Sequence, residues 1–208
     1  MSRNAVRLFT VIALACMVLV ACKKKPPKMP EPEPPKVEKQ EPPAPPPPKC
    51  ESLDEKCVGA ADKRVNIGEH GSFQPPEGWH YAKLENGSVA ITEEQDAGIA
   101  FAHADGEESE KVFAALSPLL EQMGVTDVTA DSFKKMMKKK PVVEDANGQK
   151  LNTWDTTCKF KGAAGMMLLA VAPTDGGALV GAVAMKKDAA KDRGGRAREA
   201  LLSVRSGK

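Results

Sequence analysis

Trp79-His80-Tyr81-Ala82-Lys83-Leu84-Glu85-Asn86-Gly87-Ser88-Val89-Ala90-Ile91 is the stretch on which the fold turns. Asn86-Gly87 lies between two alternating runs. A two-residue type I′ connection needs positive φ at both central positions, which this pair supplies, and it sets Leu84 opposite Val89 and Ala82 opposite Ile91. One face of the hairpin is then apolar, while Trp79, Tyr81, Lys83 and Thr92 fall on the other. Residues 98–103 supply a third strand. Pairing Ile91 with Ile99 brings Ile99 and Phe101 onto the apolar side and makes a β-meander.

Beyond the meander, Val112, Leu116, Leu119, Leu120 and Met123 recur at helical spacing, which predicts a helix over 109–123 stopped by Gly124. Pro118 is expected to kink or divide it. A second helix over 131–139, capped by Thr129 or Asp131, buries Phe133, Met136 and Met137 and ends before Pro141. Its other face is nearly all lysine. Asn147-Gly148 marks a second hairpin leading into a long strand to Phe160. Apolar runs at 166–172 and 178–185, broken by residues 162–165 and 175–177, suit central strands covered on both faces. A last helix within 189–204 puts Ala197, Leu201 and Val204 on one stripe, weakened by Gly194 and Gly195. The fold class is α+β on an antiparallel sheet, with helices supplying the cover.

Upstream, residues 23–49 hold twelve of the seventeen prolines, interleaved with Lys and Glu. That composition cannot bury a core and predicts a disordered, stiff tether reaching roughly 80 Å as polyproline II. Pro42 to Pro48 is also a conceivable docking motif, though a spacer explains the composition without one. The expected organisation is a signal segment over 1–21, the tether over 22–49, and one globular domain over 50–208.

Of five cysteines, Cys16 falls in the signal segment, leaving Cys22, Cys50, Cys57 and Cys158. Cys50 and Cys57 bracket a short polar loop and make the simplest bridge, worth roughly 2.5 kcal/mol in the loop-entropy model. Alternation in Trp154-Asp155-Thr156-Thr157-Cys158-Lys159-Phe160 puts Cys158 on the face of Trp154 and Phe160, as a small buried hydrophobe.

Removing Arg3 and Arg7 with residues 1–21 leaves 28 basic residues against 28 acidic ones. A neutral chain has no global field to attract nucleic acid, so contacts must come from local patches. The sequence shows no Gly-x-Ser-x-Gly elbow, His-Glu-x-x-His, phosphate loop or dinucleotide fingerprint, so no catalytic residue, metal or cofactor is implied. His80 and His103 fall about 20 Å apart along the strands, and His70 has no spaced partner. Two groups could carry contact. Trp79 and Tyr81, in a chain with one other Trp and no other Tyr, could anchor a partner, unless the Pro75-Pro76 lead-in or a helix covers that face. Lys134, Lys135, Lys138, Lys139 and Lys140 could meet an anionic leaflet or polymer, or be a solvated helix face.

Leu19-Val20-Ala21-Cys22, preceded by a basic start and a short apolar run and followed by Lys23 to Lys25, resembles the lipobox of bacterial lipoproteins. The resemblance implies that the Cys22 thiol carries a diacylglyceryl group, that the signal is cut before it and that the new amino terminus is acylated. At about 0.8 kcal/mol per buried methylene, two or more chains anchor stably. Lys23, where inner-membrane members typically carry Asp, implies the outer membrane. Pro75-Pro76-Glu77-Gly78-Trp79 and Ala200-Leu201-Leu202-Ser203-Val204, with the element order between them, resemble the Mog1/PsbP-like α/β/α sandwich over residues 73–204. That resemblance implies a fold and transfers no functional residue. The expected function is a membrane-tethered domain that binds or scaffolds an envelope protein or anionic polymer without catalysis. Its rivals are a hydrolase or metal-dependent enzyme whose groups converge only in the fold, and a structural envelope spacer.

Overall fold

The structure is a computed structural model that describes residues 47–207. The signal segment, Cys22 and nearly all of the tether lie outside the described residues. In chain order, β1 (Val65–Ile67) and β2 (Gly71–Phe73) precede β3 (His80–Leu84), β4 (Gly87–Ile91) and β5 (Ala97–Ala104). Then come α1 (Ser109–Met123), β6 (Val125–Thr126), α2 (Ala130–Met137), β7 (Val142–Ala146), β8 (Gln149–Phe160), β9 (Ala163–Thr174), β10 (Gly177–Lys186), α3 (Lys191–Leu202) and β11 (Arg205–Ser206).

The protein is α+β. Eight strands form one antiparallel sheet in the order β3-β4-β5-β10-β9-β8-β6, with β7 also paired to β8. A three-stranded sheet, β1-β2-β11, lies beside it. One face of the large sheet packs on α1 and α2 through Val89, Leu116, Leu120, Phe133, Phe160 and Leu169. The opposite face packs on α3 and the small sheet through Phe73, Tyr81, Ile99, Phe101, Leu151 and Leu201. Both faces are covered along β10 and over residues 169–172 of β9, which is why these read as near-continuous apolar runs. The cover expected over the start of the 166–172 run is missing on one face, where Met166 is 50% exposed.

Helix α1 has the expected bounds, and Gly124 ends it in the left-handed region at φ 82°, its N–H bonding to the carbonyls of Leu120 and Glu121. Pro118 does not divide it. Helix α2 starts at a capping box: Thr129 Oγ1 accepts from the Ser132 N–H at 3.2 Å, and Ser132 Oγ accepts from the Thr129 N–H at 2.8 Å. Asn147 and Gly148, at φ 57° and 80°, form the expected turn between β7 and β8. The turn into β9 is tighter than expected, since the strand already begins at Ala163.

The first hairpin differs from its sequence reading. Its turn is Glu85-Asn86, and Ala82 faces Val89 while Leu84 faces Gly87. The shift is two residues, so each side chain keeps its face. Gly87 is used for space: an added Cβ would lie 2.1 Å from the Phe101 carbonyl oxygen and 2.8 Å from Leu119 Cδ1. The third strand slips by one residue, pairing Ile99 with Ala90 and Gly98 with Ile91. Ile99 and Phe101 therefore lie on the α3 face, opposite to expectation. Packing explains the choice. Towards α1 the strand presents Gly98, Ala100 and Ala102, and a Cβ on Gly98 would already sit 3.0 Å from Met123 Sδ. Towards α3, Gly181 leaves room for the Phe101 ring, which a Cβ there would meet at 2.7 Å.

Candidate functional site

The aromatic pair is not an exposed surface. Trp79 and Tyr81 do sit on the face away from Ala82 and Val89, but they are only 2% and 1% exposed. Alternation gives the shared face, and the Pro75-Pro76 lead-in expected as its cover is joined by the segment around the disulfide. The segment from Cys50 to Gly59 lies along the outer edge of β3. The Tyr81 N–H donates to Cys57 O at 2.8 Å, the Lys83 N–H to Cys50 O at 2.7 Å, and the Gly59 N–H to Trp79 O at 2.8 Å. A Cys50–Cys57 disulfide, Cα–Cα 5.6 Å, closes that segment. The Tyr81 hydroxyl lies 3.5 Å from Cys50 Sγ, and Lys63 Nζ sits 5.1 Å over the Tyr81 ring. Pro75 and Pro76 are buried as well, so the disulfide segment and the Pro-Pro lead-in form the cover.

The lysines are exposed as expected, but α2 ends at Met137 and not at 139, so only Lys134 and Lys135 lie on the helix, with Lys138 at its C-cap and Lys139 and Lys140 beyond it. Phe133 and Met136 point into the core, and Lys134, Lys135, Lys138, Lys139 and Lys140 are exposed. Lys134 Nζ bonds to Glu110 Oε1 on α1 at 3.0 Å. That bond, with help from backbone and Ser109 hydrogen bonds, holds the Glu110 carboxyl down at about 2. Lys135, Lys138, Lys139 and Lys140 have no carboxylate within 4.0 Å among the described residues. Trp154 Nε1 donates to Lys139 O at 2.9 Å, pinning the end of the run against β8. Four uncompensated ammonium groups thus share one small surface beside β7.

Sequence reasoning missed the second cluster. His70, placed without a partner by its spacing, stacks on His103, with ring centroids 3.6 Å apart and planes 11° apart. His80, at the level of Gly98 through Ile91, remains far along the strands from His103. The stack ties the β1–β2 turn to the end of β5, over a cleft that Asp105 and Lys111 also line. Asp105 Oδ1 is 4.0 Å from His103 Nδ1. No group of three His, Cys, Asp or Glu among the described residues is placed to hold a metal ion. Burial, then the neighbouring His70, hold the His103 pKa below its ordinary 6.5, against the weaker pull of Asp105. No spacing in the sequence links the pair; the contact comes from the packing of the β1–β2–β11 sheet.

The sign of the pH effect follows. The unfolded chain takes up a proton at His103 before the folded one does, so this contribution is complete above pH about 6.5 and is lost progressively as pH falls towards the folded pKa. Thermal melts between pH about 8 and about 5 should show a loss of Tm in the native chain that is smaller in His103→Gln. Parallel curves would show that the stack carries no proton linkage.

Cys158 is a buried free thiol on the face of Phe160, and burial pushes its pKa up to about 11. It is not poised as a nucleophile.

No protein-family model matches this chain, and no curated protein matches it. Similar solved structures include the cyanobacterial PsbP (CyanoP) of Synechocystis, at 10% identity and TM-score 0.43, covering 69% of this chain and 91% of that one. Another is a protein from Bacteroides thetaiotaomicron, at 11% identity and TM-score 0.43, covering 69% of this chain and 50% of that one.

Proposed function

We propose that this protein is an outer-membrane lipoprotein facing the periplasm, whose domain works by contact and holds an anionic envelope partner on the lysine run at the C-terminal end of α2. The observation that carries the reading is the exposed run Lys135, Lys138, Lys139 and Lys140, kept outward by Phe133 and Met136 and left without neighbouring carboxylates among the described residues. Lysine is a point charge on a long stem, without the planar fork that arginine offers a single carboxylate. A cluster of lysines therefore suits a surface of diffuse negative charge. The lipobox at Cys22 supports an anchor, and the proline-rich residues 23–49 support a spacer that lets the domain reach its partner.

The test takes protein from the membrane fraction. Mass spectrometry should find an acylated Cys22 at the mature amino terminus; an unmodified chain starting elsewhere would remove the anchor from the reading. On a heparin column in detergent, the native chain should be retained at low salt and released as salt shortens the screening length to about 10 Å at 0.1 M. Lys135→Glu with Lys138→Glu should weaken retention at least about tenfold. Unchanged retention would refute the lysine face as the contact site.

A further inference from the structure

The two ends of the large sheet are treated differently. The edge of β3 is sealed by the disulfide segment, whose Cys50 and Cys57 carbonyls accept from Lys83 and Tyr81. At the other end β7 pairs only with β8 among the described strands. The two-residue Asn147-Gly148 turn makes Ala146 and Gln149 the closing hydrogen-bonded pair. Glu144 and Val142 then also bond to β8, and Val143 and Asp145 turn their N–H and C=O groups outward. Beside this row, Val142 and Val143 are 65% and 59% exposed, two of only four large hydrophobic residues so exposed among the described residues. An open strand edge with exposed valines is a template for another strand.

We infer that the free edge of β7 pairs antiparallel with β7 of a second copy of this chain, making a weak homodimer. The order of charges along the edge selects that occupant. Lys138, Lys139 and Lys140 precede Pro141-Val142-Val143, and Glu144 and Asp145 follow. Glu144 is already bound to Arg198 at 2.7 Å. Exposed Asp145 accepts from the Gly148 N–H with one oxygen at 3.1 Å and makes no salt bridge within 4.0 Å among the described residues, which leaves it as the available carboxylate. Turned end for end about Val143, a second copy sets Val143 against Val143 and brings Asp145 beside the partner's lysine run. A parallel copy would set lysine against lysine, which is unfavourable. In the antiparallel register Val143 exchanges both hydrogen bonds with its counterpart, and the Asp145 N–H donates to the Pro141 carbonyl, so the missing Pro141 N–H costs one bond at each end.

So short a ribbon buries less than a standard interface, which points to a dissociation constant on the order of 10–100 μM. The inference does not depend on the lysine face binding a polymer, and its measurement involves none. Sedimentation of the full mature chain in density-matched detergent, from about 5 to about 500 μM, should show a monomer–dimer equilibrium. Val143→Lys places two lysines opposite each other and should weaken dimerisation at least about tenfold with an unchanged melting temperature, because Val143 is exposed. Val143→Cys should form an intermolecular disulfide readily, since facing Cα atoms in a hydrogen-bonded pair lie about 5.5 Å apart. Asp145→Cys, whose counterpart is Pro141, should not. A chain that stays monomeric at the highest concentration, a dimer that survives Val143→Lys, or cross-linking at residue 145 equal to that at 143 would each overturn the inference.

Discussion

Trp79→Ala is expected to destabilise the protein by about 3–5 kcal/mol, the range for removing a large buried aromatic side chain. Trp79 is 2% exposed and belongs to the cluster that includes Phe73, Tyr81, Ile99 and Phe101. Its backbone is held from both sides: its N–H donates to Pro76 O at 3.1 Å, and its carbonyl accepts from Gly59 at 2.8 Å. The surroundings therefore cannot easily collapse into the space left behind, and the cost should fall in the upper part of that range. Urea unfolding measures it, with Trp154→Ala as the comparison. Trp154 is only partly buried, so its substitution should cost less despite losing the bond to Lys139 O. A Trp79→Ala protein of native stability that had lost a binding partner would reinstate the aromatic surface as the contact site.

Breaking the Cys50–Cys57 bridge is the second large effect. The bridge spans a sequence separation of seven residues, for which the loop-entropy account gives roughly 2.5 kcal/mol. The loss should exceed that figure, because the same segment supplies the carbonyls that accept from Tyr81 and Lys83. Without the closure, the segment gains freedom, and its edge bonds to β3 must hold it unaided. Cys57→Ser, or reduction of the native chain, should therefore cost about 2–5 kcal/mol in urea unfolding. Hydrogen exchange should find the Tyr81 and Lys83 amides faster to exchange by a larger factor than those of β9 and β10, which are central. The exposed β3 edge should also raise aggregation. Full stability and unchanged protection at both amides after reduction would show that packing alone holds the segment.

These two sites also show where sequence reasoning stopped. Loop spacing pointed to the bridge between Cys50 and Cys57, and alternation put Trp79 and Tyr81 on one face; both features are in the structure. Their connection is not local. The bridged loop lies some twenty residues before the strand it covers, and its outward polar residues carry no periodic signature.

Local signals were legible wherever one element settles its own conformation. The bounds of α1, the capping of α2 by Thr129, the positive φ angles of Asn147-Gly148 and the burial of Cys158 all follow from spacing, capping or turn chemistry within a few residues. Lys134 and Lys135 belong to the same class, since Phe133 and Met136 decide which way the helix turns, whereas Lys138 and Lys139 lie at and beyond its C-cap. Strand register was not legible in this way. A period of two says which residues share a face and is silent about which face a neighbouring strand will match. Ile99 and Phe101 went to the α3 side because Gly181 leaves room there, while Met123 crowds Gly98 on the other side. The stacking of His70 on His103 had the same origin. Thirty-three positions separate them, and they meet only because the β1–β2–β11 sheet packs beside the end of β5. The chain's own pattern settled the helices, the hairpins and the longer strands; β1, β2, β6 and β11 are too short to carry a period, and competition for volume between distant segments settled the pairing, the covered face and the free edge at β7.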